Sequence, residues 1–248
     1  MKKRDTIVRY TAPERINHWV TAFCFLLAGI SGLGFFFPSF NWLMDIFGTP
    51  QLARILHPFA GVVIIVMLIA AAISLCWAAF LINPLTVGRN RYFMESRQSA
   101  TPFSTVTSIF RTPYLNVVKV MLLTNLKIAL GSLLIIPGIY WSYCYMQVGY
   151  LMAENPYLTT CRAMELSKEM MEGEKWNYFV LQLSFFGWLL LCVFPFGIGG
   201  FFLEPYMQAT YAEFYAAMRS KALAMGMTTT DELGGFVRHD TYPNGMDF

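Results

Sequence analysis

Apolar residues run along this chain in blocks far longer than one face of a water-soluble helix requires. No charged side chain interrupts Ile16 to Phe37, or Ile55 to Ile82. Two later blocks, Ile128–Met152 and Tyr178–Leu203, share the pattern. Some 20 residues at about 1.5 Å each cross the hydrocarbon of a bilayer, and an open-ended chain in lipid satisfies its backbone only as helix. The pattern predicts an all-α, polytopic integral membrane helical bundle with four clear spans. Pro137 interrupts the third block, and Pro195 with Gly197, Gly199 and Gly200 interrupts the fourth. Either block can divide there, which gives up to six crossings.

Composition agrees with this reading. Of the 248 residues, 56% are hydrophobic and 13% charged, about half the charge of a soluble domain. The net charge of +3 does not indicate nucleic acid as a partner, because the basic residues gather in loops beside the spans. Under four spans, Lys and Arg divide 14 to 4 between the two faces, and the positive-inside rule then places both termini in the cytoplasm. The polar stretch up to Arg15 and the length of the run after it predict no cleaved signal. In a bacterium this is a multi-pass protein of the inner membrane.

The segment between the second and third spans carries Arg89, Arg91, Arg97, Arg111, Lys119 and Lys127 against Glu95 alone. Phe103, Val106, Phe110, Val117, Met121 and Leu122 recur among them. Two readings stand: an amphipathic helix against anionic membrane lipid, or a loop packed on the spans. Residues 159–173 predict a short surface helix with Glu165, Lys168, Glu169 and Glu172 on a solvated face. Glu154 and Glu204 fall at span ends, where carboxylates stay hydrated.

Little in the chain announces chemistry. Cys24, Cys76, Cys144, Cys161 and Cys192 form no C-x-x-C pair and read as small apolar residues, since zinc and iron–sulfur sites need clustered thiolates. No nucleophile elbow, zinc-protease motif, phosphate loop or dinucleotide fingerprint occurs, so an autonomous enzyme is not expected. No acid or base lies inside the third or fourth span, which leaves a proton-coupled transporter without its usual relay. Ser132, Ser142, Gln182 and Ser184 suit either a polar path or bonds between helices. The histidines are different. His18 and His57 each sit near the start of an apolar run, and His239 lies in a polar tail. Imidazole at such a position is the usual axial ligand of haem. The topology sets His18 and His57 at opposite faces, too far apart to share one iron.

The stretch from Asp5 to Val66 includes RYTAPERINHW at 9–19, SGLGFFFPSFNWL at 31–43 and GTPQLARILHPFAGVV at 48–63. It closely resembles the gamma subunit of bacterial formate dehydrogenase, a four-helix, dihaem cytochrome b. The resemblance implies haem b on His18 and His57, electron transfer to quinone, and iron–sulfur and catalytic subunits as partners. That family draws the opposite ligands from histidines of its fourth helix. This chain has no histidine in its spans after residue 66. Met146 and Met152 have a suitable donor atom but read better as packing.

A second resemblance begins near Leu81. It rests on Asn83-Pro84 with Gly88, Ile136-Pro137-Gly138-Ile139, Glu154-Asn155-Pro156, Met170-Met171, Lys175-Trp176, Gly187-Trp188, Pro205-Tyr206 and Ala212-Glu213-Phe214-Tyr215. These residues resemble an uncharacterised family of bacterial integral membrane proteins, a domain of unknown function numbered nine-seven-five. It implies a helical bundle and no stated activity. Gly187, Gly197 and Gly199 would permit close helix approach. The chain therefore reads as two parts: 1–82, a cytochrome b-like two-helix hairpin, and 83–248, a second membrane helical domain. Its function is either that of a haem b anchor of formate dehydrogenase or that of a non-redox protein, structural or permease-like. Bound haem separates the two.

Overall fold

The computed structural model describes residues 12–111, 113–193 and 199–234. Among the described residues every regular element is a helix. The chain forms two compact units, Met1–Cys76 and Trp77–Phe248, and the sequence-based division after residue 82 falls inside the second. His239, Pro195 and Gly197 lie outside the described residues.

The first unit contains α1 (Ala12–Phe36), a 3₁₀ segment (Pro38–Phe47) and the body of α2 (Pro50–Trp77). Pro38 ends α1 and sits at the first turn of the 3₁₀ segment, where its missing N–H is no loss. That segment folds back on α1. Met44 is buried, and a β-carbon on Gly34 would lie 2.7 Å from its Cγ. Gly48, at φ 88°, turns the chain into α2. The outward faces are apolar: Trp19, Phe23, Phe59 and Ile73 are each more than 60% exposed. Ile16–Phe36 and the helical stretch Pro50–Ser96 are both long and apolar enough to cross a membrane.

The second unit is held by a real core. Val87, Val117, Val120, Leu151, Met152, Leu166, Met170 and Tyr215 are sealed from solvent within it. Its elements are a π-helical turn (Ala78–Ile82), α3 (Asn83–Ser96), a 3₁₀ segment (Phe103–Arg111) and α4 (Tyr114–Ser132). There follow α5 (Ile135–Cys144), α6 (Val148–Glu154), α7 (Thr160–Met170), α8 (Lys175–Ser184), α9 (Phe186–Val193), α10 (Gly199–Ala224) and α11 (Thr230–Leu233).

Segment 83–127 is neither of the two expected forms in pure state. It is mostly helix, and it is packed. α3 lies so close to the following 3₁₀ segment that a β-carbon on Gly88 would overlap the Val106 carbonyl. Val117, Val120 and Met121 belong to the core, while Phe103 stays 78% exposed.

Both later apolar blocks are broken, as the six-crossing version requires. α4 ends at Ser132, and α5 turns back along it. Gly131 faces the Trp141 ring, Gly138 closes on Ser132, and Lys127 Nζ sits 4.8 Å from the centre of the Tyr145 ring. The break falls at Leu133-Leu134, with Pro137 inside the first turn of α5, where no intrahelical donor is needed. Leu133, Leu134, Ile135 and Ile136 form an exposed apolar tip. The helix here that is long and apolar enough to cross is Tyr114–Ser132, which meets the expected span Ile128–Met152 only at residues 128–132 and otherwise lies in the segment expected to be a loop or interfacial helix. The fourth block divides into α8, α9 and the start of α10, where a β-carbon on Gly199 would stand 2.9 Å from Cys192 Sγ. Gly187, expected at a helix contact, has nothing within 4 Å of a β-carbon. Among the described residues its lack of a side chain serves no close approach.

Candidate functional site

His57 lies in α2 against one turn of α1. Its Nδ1 is 2.8 Å from Ser31 Oγ. The Phe35 ring meets the imidazole edge to face at 5.6 Å, and a β-carbon on Gly32 would touch its Cε1 at 3.4 Å. Ser31 is fully buried, and its hydroxyl is 2.6 Å from the Leu27 carbonyl oxygen. That carbonyl has no proton to give, so the Ser31 proton goes to it. An imidazole protonated on Nδ1 would complete this arrangement by donating to Ser31 Oγ, and Nε2 makes no hydrogen bond to the described residues.

His18 is exposed on α1, edge-on to its neighbour Trp19. Thirteen residues separate it from Ser31, or roughly 20 Å along a helix rising 1.5 Å per residue. The two imidazoles therefore stand at different levels of the first unit and serve no common metal. Either imidazole could hold a haem iron, and His57 has the better support, since a ligating histidine commonly has an oxygen at its other ring nitrogen. Among the described residues there is no third histidine to serve as an opposite ligand, and no cluster of three or more His, Cys, Asp or Glu could hold a metal ion. Met152 is sealed in the core of the second unit, which identifies it as packing, and Met146 is half-buried. The cysteines are unpaired thiols.

The second unit has its own polar centre, and the sequence concealed it. Glu154 ends α6, but its carboxylate is not hydrated as expected. Its side chain is wholly buried, accepting from Tyr215 Oη at 2.6 Å and from Arg219 Nε at 2.8 Å. Tyr150 stacks on Tyr215 at 5.1 Å and 14°. Burial of the ion pair is tolerable because both partners are hydrogen-bonded. Pairing was missed because Tyr215 and Arg219 sit one helical turn apart on α10, more than 60 residues away. The next two residues continue the junction. Asn155 Nδ2 donates to the Glu232 carbonyl, while the carbonyls of Pro156 and Leu158 both accept from Asn116 Nδ2. Glu154-Asn155-Pro156 thus fastens α10, α11 and α4 to the end of α6.

The surface helix predicted at 159–173 is α7, capped by Thr159. Its charged face is only partly solvated. Arg162 holds Glu232 of α11 at 2.6 Å and 3.0 Å, and also donates to the Met227 carbonyl. The Arg162 hydrogen bond holds the Glu232 carboxyl below its ordinary value, and Glu232 raises Arg162 in turn. Nearby, Glu174 is lowered by bonds from Asn177 and from Lys221, whose Nζ is 2.9 Å away. These contacts are architectural.

Comparison with known proteins finds two separate likenesses, and the second of them reaches back into the first unit. The cytochrome b556(fdo) subunit of formate dehydrogenase from Escherichia coli K12 is 86% identical over 63 residues, 25% of this chain and 30% of that protein. The nitrate-inducible cytochrome b556(Fdn) subunit from the same strain is 50% identical over 68 residues, 27% of this chain and 31% of its own. A formate dehydrogenase cytochrome b556 subunit from Haemophilus influenzae is 50% identical over 56 residues, covering 23% and 24%. The chain spans less than a third of the length of these relatives. No solved structure matches. The family model described as "Protein of unknown function (DUF975)" matches residues 51–222. That is more than half of the chain, which belongs to this family.

Proposed function

We propose that this chain is a bacterial inner-membrane protein whose N-terminal hairpin offers one axial imidazole to each of two haem b groups. His18 and His57 are the ligands, and a neighbouring chain brings the opposite ones. The observation that carries the reading is the buried Ser31 hydroxyl 2.8 Å from His57 Nδ1. Identity of 86% with a formate dehydrogenase cytochrome b556 subunit supports it. A bound haem would supply one-electron transfer. The residues of the chain do the rest: Ser31 and Phe35 hold the His57 ring in place, and the apolar faces of α1 and α2 keep water from the sites. By the same likeness, the partners are the iron–sulfur and catalytic subunits of a formate dehydrogenase, with quinone as electron acceptor.

A second reading is a non-redox membrane protein, structural or permease-like, defined by residues 77–248. The buried centre at Glu154 and Arg219 favours it. Absorbance spectra of the purified protein, oxidised and dithionite-reduced, decide between them. Haem lost on substitution of either histidine supports the first. A chain without haem, when co-expressed with formate dehydrogenase subunits, refutes it.

A further inference from the structure

The geometry points to Ser31 as the positioning residue of His57, fixing which imidazole nitrogen carries the proton and which can bind a metal. Three acceptors surround one hydroxyl proton: the Leu27 carbonyl at 2.6 Å, the Ala28 carbonyl at 3.3 Å and His57 Nδ1 at 2.8 Å. Two unprotonated oxygens do not approach to 2.6 Å, so the proton lies toward Leu27. The short contact to Nδ1 is then made by the imidazole's own proton. A neutral ring with Nδ1–H has its lone pair on Nε2.

Among the described residues the hydroxyl is the hydrogen-bonding group seen at the ring. Two further neighbours are Phe35, which packs edge to face, and Gly32, which offers space. Neither can choose between tautomers. Ser31 also fixes the plane of the ring, because Nδ1–H must aim at an oxygen that is itself tied to the α1 backbone. Helix α1 thereby acts as a jig for a ligand carried on α2. Its role toward haem rests on the haem reading above, whereas the tautomer assignment does not.

The test uses the full chain in detergent micelles, labelled with ¹⁵N-histidine and free of haem. There are three histidines, and His57→Ala identifies the signals of interest. The expected spectrum has protonated Nδ1 and unprotonated Nε2 at His57. Ser31→Ala, a small helix-compatible change, shifts the ring toward Nε2–H, and Ser31→Thr, which keeps a hydroxyl able to bond the preceding turn, restores the original spectrum. Protonated Nε2 in the unaltered chain overturns the proposal, as does a Ser31→Ala spectrum identical to it. Added haemin is then titrated by absorbance. Ser31→Ala weakens the His57-dependent binding about 10-fold or more, the usual scale for loss of such a support, and leaves the His18-dependent binding unchanged. Equal weakening at both would reveal general loosening and overturn the positioning role. If the tautomer result holds but the unaltered chain binds no haemin through His57, the haem reading alone fails.

Discussion

Arg219 Nε lies 2.8 Å from a Glu154 oxygen, and their side chains retain 3% and 0% of their solvent exposure. A carboxylate so placed cannot regain water when its cation is removed. Arg219→Ala should cost about 3–5 kcal/mol, the scale for breaking a buried pair from one side. Tyr215→Phe removes one charge-assisted hydrogen bond and should cost about 1.5–3 kcal/mol. Thermal unfolding of the purified variants, followed by tryptophan fluorescence, checks the order. A Tyr215→Phe chain less stable than Arg219→Ala would contradict it.

Glycines of this chain are not equivalent. A methyl on Gly88 meets the Val106 backbone, which cannot swing aside as a side chain would, whereas one on Gly187 meets nothing. Gly88→Ala should destabilise by roughly 1–3 kcal/mol through overpacking, and Gly187→Ala should leave protease resistance unchanged. Identical digestion rates for the two variants would count against this packing.

The α7–α11 clasp should be acid-sensitive. Glu232 is held below its ordinary carboxylate value, first by the Arg162 hydrogen bond. Its contribution is therefore complete above the ordinary glutamate value of about 4.3 and is lost as pH falls through the lower folded value. Protection of the 228–234 amides, measured as exchange relative to the intrinsic rate at each pH, should fall on acidification below that range. Glu232→Gln should show low protection already at neutral pH. A protection factor independent of pH in the unaltered chain would dispose of the clasp.

The two histidines should behave independently. With Ser31 standing roughly 20 Å along α1 from His18, His18→Ala and His57→Ala should each remove one haem signal and spare the other. The measurement is reduced-minus-oxidised absorbance of the chain co-expressed with its proposed partners. Simultaneous loss of both signals in either variant would argue for one shared site.

Much of the fold was legible from hydropathy, because membrane helices advertise themselves by length. The breaks were legible only in part. Pro137 marked the third block, but the reversal itself is made by Leu133-Leu134, which no hydropathy pattern separates from a span. His18 and His57 stood out by scarcity. Ser31 did not, because a serine in an apolar helix ordinarily bonds only its own preceding turn, and its second partner lies 26 residues on. Glu154 was misplaced for a similar reason. Position at a span end predicts water, whereas Tyr215 and Arg219 arrive from α10 to exclude it.

The back-folding of α5 on α4 also bears on sidedness. With four single spans, residues 153–177 and the C-terminal tail would face opposite compartments. Yet Lys221 bonds Glu174, and Arg162 bonds Glu232; no such bond reaches through about 30 Å of hydrocarbon. An excursion that leaves and returns by one surface resolves the conflict and reverses the parity of everything after it. Stretches 128–153 and 176–203 carry no charge, so every Lys and Arg of 77–234 falls in the segments outside them. Under the positive-inside rule this charge predicts that those segments face the cytoplasm. The exposed Cys161 is a native reporter of this. With the other cysteines replaced by serine, an impermeant maleimide should label it in inverted vesicles and leave it untouched in intact spheroplasts.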